Sequence, residues 1–387
     1  MNRKYIIIIL LSVLITLTTG CRKEDKYIPS TDTDVTDPTS SANYAGFFLL
    51  NEGNMGNNKA TLDYFDYATG KYSRNIYAER NPSVALELGD VGNDLKIRGG
   101  KIYAVINCSN FIEVMNLDNA IHITEIAIPN CRYITFDGGY AYVTSYAGPI
   151  GPNPSYRKGY VAKIDTLTLS VTDTCTVGYQ PEEAVVASGK LYVANSGGYM
   201  APEYDNRVSV IDLESFKVVK SVEVADNLHR MIYDGKRYIY ISSRGDYKGS
   251  ESSTYILDTH TDQVTQIPFL PNSNMVLSGD SLWVISNEWS NITQTDEISY
   301  AIYDTRVCRV VTRHFITDGT EEEITVPFGI AVNREQKEFY ITDAKDYVTP
   351  GKLHCYSIDG KRKWSVTTGD IPAHFAFTHK QLISKDK

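Results

Sequence analysis

The sequence predicts an all-β fold, a seven-bladed β-propeller of four-stranded antiparallel blades in which the C-terminal strand joins blade one and closes the ring. Two repeated markers and one asymmetry predict it. The first marker is an aromatic residue behind an apolar one at the head of a short β-rich run, at Phe48, Tyr103, Tyr142, Tyr192, Tyr240, Trp283 and Tyr340. The second is a following run that ends in Asp or Asn, at Asp66, Asn116, Asp165, Asp212, Asp258, Asp304 and Asp359, spaced by 50, 49, 47, 46, 46 and 55 residues. Two independent markers with the same count and a near-constant spacing define a structural repeat, and a period of about 45 residues with four short strands is that of a propeller blade. The asymmetry lies at the ends. The first unit begins at its second strand, GFFLLNE, whereas the chain finishes with IPAHFAF, which matches the first strand of a unit, VPFGIAV at 326–332. A C-terminal strand that completes blade one leaves no open sheet edge, and a two-sheet sandwich accounts for neither the period nor the split unit.

From the N-terminus, Arg3 and Lys4 precede an apolar run at 5–17 that is too short to span a bilayer but has the length and flanks of a secretory signal. Leu17-Thr18-Thr19-Gly20-Cys21 resembles a bacterial lipobox, with Thr18 where an aliphatic residue is usual, so Cys21 is expected to be the lipidated first residue of the mature protein. The following Arg22-Lys23-Glu24-Asp25 resembles the export signal of lipoproteins on the outer face of the outer membrane. Residues 21–44 are mostly Ser, Thr, Asp and Pro with few large apolar side chains, which predicts a flexible membrane tether. The propeller is expected at 45–380 and a short tail at 381–387.

The whole chain has a net charge of −9, and without residues 1–20 its 36 Lys and Arg face 47 Asp and Glu, a balance of −11. That argues against nucleic acid and anionic lipid surfaces as partners, leaving the lipid anchor as the membrane contact. Of six cysteines, five remain once Cys21 is acylated, and none stands in a CxxC or Cys/His metal spacing. Cys108 and Cys131 are candidates either for pairing or for two buried thiols.

A single unit shows the blade plan: PEEAVVA, KLYVANS, RVSVIDL and KVVKSVEV between residues 181 and 224. In such a meander the links between strands one and two and between three and four lie on one face, where RGG, DGG, SGK and LESFK are plain turns. The links between strands two and three lie on the other face and are long: NEGNMGNNK from Asn51, SYAGPIGPNPSYRK from Ser145, NSGGYMAPEYDN from Asn195, SRGDYKGSESS from Ser243, SNEWSNITQTDE from Ser286 and DAKDYVTPGK from Asp343. Their convergence marks the expected binding face. Three residues beyond each aromatic marker stand Asn51, Ile106, Ser145, Asn195, Ser243, Ser286 and Asp343, six of them polar, with Asn107 next to Ile106. The innermost strands are expected to start near Asp94, Arg132, Glu183, Arg230, Asn274 and His374. Around them stand Tyr146, Tyr199, Tyr204, Tyr247, Trp289 and Tyr347, with Glu52, Asn54, Asn57, Arg244 and Asn287 on the same loops. Neutral amides ringed by aromatics suit a large ligand with many hydrogen-bonding groups and some flat surface.

Catalytic readings find less support. Glu182-Glu183 reads as a solvated pair of adjacent carboxylates, whereas sugar hydrolysis needs two placed across the substrate. His229 and His374 make neither a triad nor a metal site without further partners, and GxSxG, Walker and strand-to-helix GxGxxG motifs are absent. The expectation is a binding protein that requires no cofactor and holds no metal, rather than an enzyme.

Strands such as LYVANS followed by VSVIDLES resemble the YVTN or YncE-like propeller repeat over nearly all of residues 46–378. More narrowly, LLNEGN with TLDYFD, LGDVGNDLKI and YITDAKDY resemble surface lipoprotein propellers of gut anaerobes, a group that includes the BtuG-type cobalamin-binding proteins. That resemblance implies an outer-membrane, lipid-anchored protein facing the exterior, cobalamin or another corrinoid as ligand, and a TonB-dependent outer-membrane transporter as partner. Other ligands, a glycan or a siderophore, stay open, as do a propeller enzyme and an adhesion or surface-layer protein.

Overall fold

The computed structural model describes residues 29–39, 42–84, 87–148, 157–246, 249–290 and 295–383. Residues 1–20, Cys21 and Tyr247 lie outside the described residues. The described chain forms seven antiparallel sheets, six of four strands and one of five. The innermost strands are Gly92–Arg98, Cys131–Asp137, Pro181–Ala187, Leu228–Tyr233, Asn274–Ser278, Pro327–Asn333 and Pro372–Thr378. Each packs against the innermost strands of both neighbouring blades, so they form a closed ring about one axis. Closure is by the C-terminal strand: Pro372–Thr378 pairs with Gly46–Asn51 from Gly46 opposite Thr378 to Asn51 opposite Pro372.

Both sequence markers have a packing reason. Each marker aromatic is buried in the seam between its own blade and a neighbour, as Tyr192 is among Leu228, Met231 and Ile239 and Tyr340 among Phe47, Leu49 and Phe65. Seven such seams need seven large side chains, and burying each contributes roughly 2–3 kcal/mol. The Asp or Asn markers close the turn after strand three by accepting an amide two residues on: Asp66 from Ala68, Asn116 from Asp118, Asp165 from Leu167, Asp258 from His260 and Asp304 from Arg306. In blade seven the third strand, Pro350–Ser357, ends two residues before Asp359, which is part of why the last interval is the longest.

Three expectations are corrected. The tether is not free as far as residue 44: Thr31–Asp34 adds a fifth strand to blade one, pairing from Thr31 opposite Arg74 to Asp34 opposite Lys71. Its four residues alternate hydroxyls and carboxylates, and the outer edge of a blade needs only backbone pairing, here with Asp32 accepting from Ser73 and lying 3.6 Å from Lys71. The segment from Ser286 is no loop but an extension of the sheet, with Ser281–Ser290 and Thr295–Asp304 paired through Trp289 opposite Asp296. Finally, most innermost strands begin one or two residues earlier than expected.

Candidate functional site

The polar residues at the ends of the second strands form a buried layer of clamps beneath the long-loop face. Ser145 Oγ donates to the Pro129 carbonyl (2.5 Å) and accepts from the Ala147 amide (2.9 Å), and Ser243 Oγ repeats this with Asp226 (2.6 Å) and Gly245 (3.0 Å). Asn107 Nδ2 donates to Asn130 Oδ1 and the Cys131 carbonyl, and Asp343 Oδ1 accepts from the amides of Val326 and Lys345. Asn195 is fully buried, accepting from the Gly178 amide (3.0 Å) and donating to the Arg207 carbonyl (2.7 Å) and Ser209 Oγ (3.0 Å). Asn51 is equally buried and donates to Thr61 Oγ1. These side chains tie each long loop to the neighbouring backbone. The expected ring of ligand-facing amides is corrected on this point, because Asn107, Asn195 and Asp343 make their hydrogen bonds inside the protein, and Asn51 is buried with only its Nδ2 partnered.

Closer to the axis, the first strand breaks register at the same level in six blades: between Gly92 and Asp94, Cys131 and Ile134, Pro181 and Ala184, Leu228 and Met231, Pro327 and Ile330, and Pro372 and His374. A bulge re-aims the side chains it carries. In blades three, four and five these are Arg132 and Tyr133, Glu182 and Glu183, and His229 and Arg230. Arg132 donates from Nε (3.2 Å) and Nη2 (3.0 Å) to Glu182 Oε2, while Arg244 Nη1 (3.1 Å) and the Tyr146 hydroxyl (2.5 Å) donate to Oε1. Glu183 Oε2 accepts from the Met231 amide (2.9 Å). The two adjacent carboxylates are therefore no solvated pair: Glu182 is buried and stitches three blades together. Burial acts to raise its carboxyl, but Arg132, Arg244 and the Tyr146 hydroxyl outweigh it and hold it at about 2.

Tyr133 hydrogen-bonds through its hydroxyl to His229 Nε2 (2.8 Å). Burial and then the cations Arg244, Arg230 and Arg132 press the His229 imidazole well below its ordinary range, so it is neutral at physiological pH. Arg132 lies over the Tyr146 ring at 4.9 Å and Arg230 over the Tyr133 ring at 5.1 Å. On the other side of the axis Asp94 sits 3.3 Å from Lys96 and accepts the amides of Leu95 and Ile134, and His374 Nε2 is 3.1 Å from Glu52. Tyr133 and Lys96 escaped the sequence reading, and Glu182 was read there as solvated. The signal available was positional, since each stands at or beside the same level of its innermost strand as Arg132, Arg230 or His374.

The rim is aromatic. Tyr199 is 55% and Trp289 57% exposed, and Tyr347 is 40% exposed, while Tyr146 lies beneath Tyr199 with ring centroids 6.5 Å apart. Asn54 donates to the Tyr347 carbonyl and accepts from Asn57, so the long loops of blades one and seven are joined. The Tyr204 hydroxyl reaches the Asp246 carbonyl at 3.4 Å, linking the loops of blades four and five. Asn287 has its backbone pinned by Ser273 on the paired arm of blade six. On that arm Glu288 turns toward blade five, accepting from the Ser252 amide, so Asn287 and Trp289 occupy the opposite side. Cys108 and Cys131 are both thiols. The face of short turns is not featureless: a groove of about 510 Å³ opens there between blades three and four, with Lys163 lying 4.2 Å from the centroid of the Tyr140 ring.

No protein-family model and no curated protein matches the chain. Solved structures do. The periplasmic gluconolactonase PpgL of Pseudomonas aeruginosa aligns at 14% identity and a TM-score of 0.59, over 86% of this chain and 99% of its own. A quinoprotein alcohol dehydrogenase-like protein from Bacteroides thetaiotaomicron aligns at 16% and 0.56, over 87% and 79%. Apo AztD from Citrobacter koseri aligns at 12% and 0.52, over 87% and 99%. At these identities the likeness is one of fold. The chain is a seven-bladed β-propeller with a charged axial funnel beneath an aromatic rim.

Proposed function

We propose that this propeller is an outer-membrane surface lipoprotein that captures a nutrient ligand on its long-loop face, cobalamin or another corrinoid in the first place, and delivers it to a TonB-dependent transporter. The observation that carries the reading is the rim: Tyr199 and Trp289, from blades four and six, are more than half exposed in a fold whose other large aromatics are mostly buried in seams. Large amphipathic rings left in solvent around one opening suit a ligand that has both flat apolar surface and polar edges. The resemblance of LLNEGN, LGDVGNDLKI and YITDAKDY to surface lipoprotein propellers supports the same ligand class. Binding rather than turnover is favoured by the state of the central groups. Glu182 is saturated by three donors and His229 is neutral and engaged with Tyr133, so neither is poised to exchange a proton with a substrate.

Calorimetry of the full chain with cyanocobalamin, a siderophore and oligosaccharides tests the reading. Tight binding of cyanocobalamin alone, with a raised melting temperature by mass action, is expected. Binding of an oligosaccharide or siderophore in its place would keep the face and remove the corrinoid.

A further inference from the structure

The charged side chains of the funnel nearly all have a hydrogen-bonded or salt-bridged partner, and one guanidinium has none. Asp94 is taken by Lys96 and two amides, Glu52 by His374, Glu182 by Arg132, Arg244 and Tyr146, and Glu183 by the Met231 amide. Arg230 is 8% exposed, and its Nε is buried with no hydrogen-bond acceptor. No acceptor among the described residues lies within hydrogen-bonding distance of the rest of its guanidinium. Its one close companion is the Tyr133 ring, 5.1 Å from the guanidinium carbon. A guanidinium donates in its own plane, so a ring over its face satisfies none of its five N–H groups. Arg230 stands on blade five, yet its charge is felt by Glu52 of blade one, Asp94 of blade two and Glu183 of blade four, which places it toward the axis. A buried guanidinium without acceptors is costly to keep; the nearby carboxylates of Glu183, Asp94 and Glu52 act on it only through their charge and make their hydrogen bonds and ion pairs elsewhere.

We propose that Arg230 is the anchor for an oxyanion carried by the ligand, a phosphate, phosphodiester or carboxylate, seated in the axial funnel below the aromatic rim. A planar two-oxygen anion meets the guanidinium edge with two parallel hydrogen bonds, the strongest neutralisation open to that group. The rim then holds the bulk of the ligand and the funnel its charged group. The inference rests on the long-loop face being the binding face, and it narrows the ligand to one that bears an anionic group.

Four probes test it on the full chain and on the Arg230→Gln and Arg230→Lys variants: inorganic phosphate, malonate, cyanocobalamin, and dicyanocobinamide, which has the corrin ring without the phosphodiester. Arg98→Gln, on the face of short turns, is the control. Phosphate or malonate is expected to raise the melting temperature of the unmodified chain and of the control. Arg230→Gln is expected to lose the effect, and Arg230→Lys, which keeps the charge without the fork, to bind about tenfold more weakly. Phosphate binding with no malonate binding assigns the site to phosphoryl ligands, and the reverse assigns it to carboxylates. Cyanocobalamin binding at least tenfold tighter than dicyanocobinamide, with the gap closed in Arg230→Gln, identifies the phosphodiester as the anchored group. If neither corrinoid binds but the anions do so through Arg230, the corrinoid reading falls and the anchor stands. If neither small anion shifts the unmodified chain at millimolar concentration, or Arg230→Lys binds them as the parent does, the anchor is refuted whatever the corrinoids do. Both of these outcomes can be measured even if Arg230→Gln fails to fold.

Discussion

Tyr67 of blade one donates its hydroxyl proton to Tyr340 of blade seven across 2.6 Å, at the seam where the two ends of the chain close the ring. The direction follows from the neighbours, since Tyr340 donates to Glu338 Oε2 (2.7 Å) and Asn333 Nδ2 donates to Tyr67 (2.8 Å). Lys363 then pairs with Glu338 at the end of the relay. Except for Tyr67, every member belongs to blade seven, so that one hydroxyl ties this relay to the first blade. Tyr67→Phe keeps the ring packed but strands the Asn333 donor and leaves Tyr340 without its donor. A loss of about 1–3 kcal/mol in urea unfolding is expected, with a single transition retained because the ring unfolds as a unit. Loss of only one blade, seen as a second transition, would show that the seam is not shared by the whole domain.

The clamps and the rim separate stability from binding. Asn195→Ala removes the buried acceptor of the Gly178 amide and the donor to the partly buried Arg207 carbonyl, and should cost about 2–4 kcal/mol of stability. Ligand affinity of the folded fraction should be unchanged. Trp289→Ala removes an exposed ring and should leave stability within about 0.5 kcal/mol while weakening corrinoid binding by about 1–3 kcal/mol. Melting curves and calorimetry on the two variants decide the assignment, and the opposite pattern would restore Asn195 to the ligand surface.

How far the sequence could be read follows from the range of each interaction. The repeat was legible because a seam aromatic and a turn carboxylate are local demands made once per blade, and closure was legible because strand Pro372–Thr378 carries the pattern of a first strand. Depth was not. Asn195 and Asn54 look alike in the chain, and which lies under the loops depends on partners such as Gly178 and Tyr347 set by the fold. Glu182 looked solvated because its three donors come from residues 132, 146 and 244, up to 62 positions away. The bulges hid the funnel further, since one extra residue breaks the alternation that assigns a strand residue to a side.

Glu113 gives the stability curve a definite slope. It is buried in blade two with its Oε1 2.7 Å from His122 Nδ1. Burial pushes its carboxyl up to about 7, opposed by the His122 contact and a Tyr77 hydrogen bond and assisted by the Glu125 charge. In the unfolded chain it ionises near the ordinary value of about 4.3. Between the two the native state binds more protons than the unfolded state, so this group's contribution to stability falls as pH rises from about 4.3 to about 7 and is level above that. The span is on the order of 3–4 kcal/mol. Glu113→Gln removes the titration, so its melting temperature relative to the parent should rise by a few degrees from pH 5 to pH 8. A constant difference between the two proteins across that range would refute the buried-carboxylate account.

The fifth strand of blade one fixes how an anchored molecule would sit. Thr31 lies opposite Arg74 and Asp34 opposite Lys71, and Ser30 Oγ donates to the Asn75 carbonyl, so the chain enters the propeller from the long-loop face. Ten positions separate Cys21 from Thr31, a reach of about 35 Å at most for an extended chain. If Cys21 carries the lipid, the long-loop face is held toward the membrane within that distance and the face of short turns points away, an orientation suited to the proposed passing of a ligand to a transporter in the same membrane. Two measurements check this. Cys21→Ser should release the protein from membranes if an acyl chain on that residue is what holds it there. In the acylated protein on vesicles, a dye at Met55→Cys, on the exposed loop of blade one, should transfer energy to labelled lipid more efficiently than one at Glu214→Cys in the opposite turns, with Cys108 and Cys308 replaced. Equal transfer from the two positions, or stronger transfer from position 214, would reverse or abolish the orientation, and membrane retention of the Cys21→Ser protein would remove the anchor itself.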